Sequence, residues 1–138
     1  MNLLRIGLAA LGAFVAYFAL GGLLFGALPV MRSEFQKYPS VYRPKEGQMA
    51  HMPAGMLAMF IAILALAAIF AMLNRSGSDV LSGAIFGALI GIYSVGSFVV
   101  HNYVNLNIGL KLTIQQSAAY FVQWVVVGVV IGLIYRPA

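Results

Sequence analysis

Two histidines and a run of methionines are the residues of this chain whose types and spacing best suit chemistry. His51 and His101 stand at the ends of apolar stretches, at nearly equal depth if neighbouring helices cross a bilayer in opposite directions. Two imidazoles across such a pair could ligate haem axially or hold a metal ion. Met49, Met52, Met56 and Met59 lie close by at spacings of three and four, and soft thioether sulfur with imidazole suits Cu(I). Against this, Pro53 implies that Met49 and His51 precede the regular helix, which breaks the stripe, and methionine also fills apolar gaps routinely. The reading adopted is that no cofactor or metal is resident. A transporter or channel component handling a small cation, Cu(I) or haem through His51, His101 and the methionines is the alternative.

A second constellation is polar. At about 100° per residue, Gly83, Gly87, Gly91, Ser94, Ser97, His101 and Asn105 fall on one helical face, small at one end and polar at the other. Thr113, Gln116, Tyr120 and Gln123 share a face of the last apolar stretch, at the same membrane depth. Unpaired amides and hydroxyls are costly in hydrocarbon, so these faces should point at one another or at water. One reading is a ligand pocket built from His51, Ser94, Ser97, His101, Gln116, Tyr120 and Gln123 and roofed by the polar segment 32–46. The other is hydrogen bonding between helices, each bond adding on the order of 0.6 kcal/mol.

The elements that must position these residues are four stretches without a charge, residues 6–30, 52–73, 80–100 and 112–135. Each is long enough, at about 1.5 Å per residue, to cross the ~30 Å hydrocarbon layer, and backbone groups at that depth must bond within their own helix. The expected fold is therefore all-α, a single integral membrane domain: a four-helix transmembrane bundle with antiparallel up-down connectivity and spans at about 6–30, 52–73, 80–101 and 112–135. The first span exceeds the ~7–15 apolar residues of a signal peptide and is read as retained.

Residues 31–51 form the one substantial loop. Its Pro39, Pro44 and Gly47 argue against a long helix, and Pro53 suits the first turn of a span starting near Met52. The sequence NRSGSD at residues 74–79 reads as a tight turn, with Ser78 or Asp79 capping span three. Call the side holding both termini side A and the loop side B. Side B then carries Arg32, Lys37, Arg43, Lys45 and Lys111 against Arg5, Arg75 and Arg136 on side A. The positive-inside tendency then puts the loop in the cytoplasm, and a bias this small is also compatible with the opposite insertion or with copies in both orientations.

Composition narrows function by exclusion. At 62% hydrophobic and 8% charged, 138 residues leave no room for a soluble domain, and the net charge of +5 lies at span ends, where it reads as headgroup contact rather than a nucleic-acid surface. There is no cysteine, hence no disulfide or thiolate chemistry. No Asp or Glu lies within a span, which disfavours a proton-coupled antiporter of this size. No nucleophile with a base and carboxylate, no HExxH and no phosphate loop is present, so the chain is read as not an enzyme. Gly22 and Gly26, Gly83, Gly87 and Gly91, and Gly128 and Gly132 form ladders at four-residue spacing. These suit close helix approach, within the chain or in a homo-oligomer.

The run FALGGLLFGALP at 18–29, the polar first loop, the glycine-rich third span and the closing stretch from Asn107 to Tyr135 together resemble a family of small bacterial four-span membrane proteins defined only as a domain of unknown function. The resemblance covers most of the chain in outline. This chain has Gln115 and Gln116 where that family has an acidic residue near the start of its last span. The resemblance implies a multi-pass protein of the bacterial inner membrane and carries no activity. The functional expectation is binding of a small hydrophobic or amphipathic ligand or lipid on the loop side, or service as a subunit of a homo-oligomer or larger membrane complex.

Overall fold

The structure, a computed structural model, describes residues 2–74 and 79–135. It is all-α, without a strand among the described residues. Four long apolar helices, α1 (Leu3–Ala27), α3 (Lys45–Leu73), α4 (Val80–Asn105) and α5 (Leu110–Ile134), are each long and apolar enough to cross a membrane, as a multi-pass membrane protein requires. A short helix, α2 (Pro29–Phe35), comes directly after α1.

Local chemistry sets the boundaries. The Asn2 side chain accepts from the Arg5 amide and starts α1, and Asp79 accepts from the Ser82 amide and starts α4, as expected of an N-cap. The alternative cap Ser78 lies outside the described residues, as do the rest of the 75–78 turn, Arg136 and Pro137. Leu28, held extended before Pro29, ends α1 three residues before the expected end of span one. Pro29 and Val30 belong to α2 instead.

The start of α3 departs further from expectation. It begins at Lys45, seven residues before Met52, and takes Pro53 into its interior. Pro44 is its extended N-cap, Glu46 matches the positive end of the helix dipole, and the Gln48 amide bonds back to the Arg43 carbonyl. These groups nucleate the helix early. Pro53 then removes one hydrogen bond from a stretch whose sides are open, where no neighbour resists a local adjustment.

Packing is uneven along the helices. The last helix, α5, lies between α1 and α4, and α1 lies between α5 and α3. Near side A all four long helices meet: Ile63, Ala67, Phe70 and Ala71 of α3 and Ala9, Ala10 and Ala13 of α1 are buried with Ile131 and Tyr135, and the Phe70 ring meets that of Phe86 in α4 at 5.3 Å. Phe14 and Phe60 still touch edge-on at 5.5 Å. Beyond that level α1 leans on α5, and no residue of α3 before Ile63 is buried.

Between α4 and α5 the backbones touch. A Cβ on Gly83 would strike the Gly128 carbonyl, one on Gly87 the Trp124 carbonyl, and one on Gly128 the Gly83 carbonyl. Partner numbers fall along α5 as they rise along α4, so the two helices run in opposite directions. Only glycine allows this approach, and it brings the many weak contacts that must drive association where apolar burial offers little. Gly87→Leu is therefore expected to force these helices apart, costing more than the ~1–3 kcal/mol of ordinary overpacking. Gly96→Leu, with nothing within 4 Å of its Cβ, should leave the melting temperature in detergent nearly unchanged. Equal melting of both variants would contradict the contact.

Candidate functional site

The chain between α1 and α3 folds back on the end of α1 and the start of α5, and the first half of α3 buries no residue. α2 and residues 36–42 do not lie across α3. Met31, Phe35, Tyr38, Val41 and Tyr42 pack on the end of α1 and on Ile108, Leu112 and Ala119. Tyr38 fixes this arrangement, because its hydroxyl accepts the Gly109 amide at 2.9 Å. A side chain at position 109 would displace that hydroxyl.

Glu34 is the second tie. Buried on α2, its carboxylate receives Lys37 from its own helix and Lys111 from the start of α5, each at 2.7 Å. The Lys111 bond first, then that from Lys37, holds the Glu34 carboxyl below the usual carboxylate range. Its contribution to stability is present at neutral pH and is lost as pH falls through that lowered value, since protonation ends both ion pairs.

Beside this cover lies a half-open cavity of about 1040 Å³, most of whose lining residues are exposed. Phe25, Gly26, Phe35, Pro39 and Val41 form its apolar wall, with the Tyr42 ring stacked edge-on to Phe35 at 4.8 Å. Arg32, Arg43 and Lys45 line it with the amides Gln36 and Gln48. No carboxylate lines it among the described residues. The ion pairs found there all use Glu34, so these three cations are left without an anionic partner. The positive end of the α3 dipole has the same sign.

The sequence placed its candidate residues elsewhere, and none of them lines this cavity. His51 is exposed on α3; its Nδ1 lies 2.8 Å from the Gly47 carbonyl and must donate there, which leaves Nε2 to accept from Arg43 Nη1 at 3.3 Å. His101 is exposed on α4, and no hydrogen bond joins the two imidazoles among the described residues. Nor do three His, Asp or Glu gather as a metal set among those residues.

The polar face projected along α4 breaks at a π-helical turn, Val95–Val100. Such a turn accommodates one extra residue and rotates the remainder of the helix by about 100°. Gly83, Gly87 and Gly91 remain buried against α5, but the buried position then passes to Val99, while Ser97, His101 and Asn105 turn outward. Ser94 is half-buried before the break. Expecting the whole stripe to face inward is thus corrected, because that projection assumed an uninterrupted α-helix.

Most of the remaining polar groups need no pocket. Ser97 bonds the Tyr93 carbonyl, Asn105 that of His101, Thr113 that of Gly109 and Ser117 that of Thr113, all one turn back on their own helices. Two glutamines do reach between elements. Gln116, buried, meets the Tyr42 hydroxyl at 3.4 Å, just behind the cavity wall. Gln123 donates to the Tyr17 carbonyl of α1 at 2.7 Å, and Gly21 leaves the space for its amide. Tyr120 is half-buried between the rings of Phe25, 5.0 Å away, and Phe98. These three join α5 to α1 and the loop.

The residues that line the cavity carried only faint signals: an aromatic and a glycine before Pro29, and Arg43, Pro44 and Lys45 in a row before an apolar stretch. Comparison with protein-family models, with curated proteins and with solved structures finds no match.

The Glu34 tie predicts that thermal stability in detergent falls as the buffer passes below about pH 4, the ordinary glutamate value. Part of that fall should vanish in Glu34→Gln, which is less stable than the wild type at pH 7. A wild-type and a Glu34→Gln protein with the same pH profile would refute it.

Proposed function

We propose that this chain is an integral multi-pass protein of a bacterial inner membrane, folded as an antiparallel four-helix bundle, that is not an enzyme and binds a small amphipathic ligand or lipid in the loop-side cavity. The observation that carries this reading is the mixed lining: aromatic and aliphatic residues stand together with three cations and two amides, where apolar spans give way to the polar loop. About 1040 Å³ suits a ligand of moderate size, and apolar lining with a few convergent polar groups is the usual composition of a binding site. The site is offset from the polar faces of α4 and α5, and Gln116 supports it only through Tyr42.

A second reading, a subunit of a larger membrane assembly, is favoured by the bare first half of α3, which includes exposed Met49, Met52 and Leu57. The two differ in what a filled cavity does. A Cβ on Gly26 meets nothing within 4 Å, so a large side chain there enters the cavity without disturbing the helix contacts. Gly26→Trp is expected to keep the melting temperature of the ligand-free protein and to remove at least tenfold of the stabilising potency of an added lysophospholipid. Undiminished stabilisation of Gly26→Trp would refute cavity binding and leave the assembly reading.

A further inference from the structure

We propose that the cavity selects a net-anionic amphiphile, its phosphate head held by Arg32, Arg43 and Lys45 and its chain leaving past Phe25 into the gap between α1 and α3. This deepens the amphiphile-binding function and rests on it. Three cations line one cavity; of the two carboxylates at this end of the helices, Glu34 is already committed, and Glu46, exposed beside Lys45, neither lines the cavity nor forms an ion pair with them among the described residues. Glu34 shares α2 with Arg32 but pairs with Lys37 and Lys111 instead. Asp79 caps α4 near the opposite end of the helices. A zwitterionic head would bring its own cation into this field, whereas a phosphate ester with no compensating charge gains from all three.

Arg43 is partly oriented before any ligand arrives. With Nδ1–H of His51 bound to the Gly47 carbonyl, Nε2 accepts one guanidinium N–H and leaves the others to donate. A guanidinium fork matches two oxygens of a phosphate at once, and Arg32, on the α2 side, supplies a second fork. Lys45 opens α3 and adds a point charge to the same lining. The chain has an equally defined exit. Phe25 and Gly26 are the α1 residues of the lining, and α3 buries nothing before Ile63, so a chain leaving past Phe25 meets uncovered apolar helix surface. A free phosphate would use the cations and waste that exit.

The test measures thermal unfolding of the purified protein in a neutral detergent with added dioleoyl phosphatidylglycerol, dioleoyl phosphatidylcholine or inorganic phosphate. The anionic lipid is expected to stabilise at a concentration at least tenfold below the zwitterionic one, and phosphate alone to have little effect. Single substitutions R32Q and K45Q should each narrow the gap between lipids severalfold, and R32Q/R43Q/K45Q should close it. Two lipids of equal potency in the wild type, both weakened by Gly26→Trp, would overturn selection for an anion and leave the amphiphile site standing. Inorganic phosphate as potent as the anionic lipid would overturn the role given to the chain exit. No stabilisation by either lipid would overturn both this proposal and the cavity reading.

Discussion

The backbone contact between α4 and α5 is the constraint on which the other arrangements depend. Gly83, Gly87 and Gly128 let carbonyl and Cα atoms of the two helices touch, and no side chain fits between them. With one flank of α5 sealed in this way, its other flank turns to α1. There Gln123 donates to the Tyr17 carbonyl, Trp124 meets Tyr17 at 5.3 Å, and Tyr120 meets Phe25. A hydrogen bond to a carbonyl of another helix fixes the position of α1 more sharply than ring contacts alone, because its energy falls steeply with distance and angle. α1 is thereby committed to α5 along its loop-side half.

What is left for α3 decides where a site can form. It meets α1 from Ala9 to Phe14, and its first half buries no residue. The loop then has to span the gap, but its own aromatic residues and Glu34 are drawn to the start of α5 by Ile108, Gly109, Leu112 and Lys111. A cover anchored on one side and a half-helix with no buried residue on the other leave a half-open space between them. Its cationic lining arises because the positive residues at this end of the helices outnumber the acids, and the one buried acid faces the other way.

Much of the fold was legible because apolar length and charge-free runs constrain a chain in lipid strongly. The four long helices and the Asp79 cap are readable in this way; the break before Pro29, inside the expected first span, is not. The glycine ladders announced close contact without naming their partner, and geometry pairs the ladder of α4 with Gly128 and Gly132. The site was much less legible. Projection at a constant angle cannot register the π turn at Val95–Val100, so Ser97 and His101, inward on that projection, are exposed. A polar side chain that bonds its own helix, as Thr113 and Ser117 do, looks in sequence like one awaiting a partner. Pairings such as Glu34 with Lys111 and Gln123 with Tyr17 join residues far apart in the chain, and nothing local marks them.

Divergence of α1 and α3 toward the loop is the central claim, and the absence of native cysteine allows a direct measurement by paired-cysteine cross-linking. Phe14 and Phe60 are in contact, and the same antiparallel register carried toward the loop would set Gly22 opposite Met52. Rapid oxidation of the F14C/F60C pair in membranes, with little or none for G22C/M52C, is the result expected of helices that separate above Phe14. Comparable rates for both pairs would mean that α1 and α3 stay together to the loop, with no cavity between their ends.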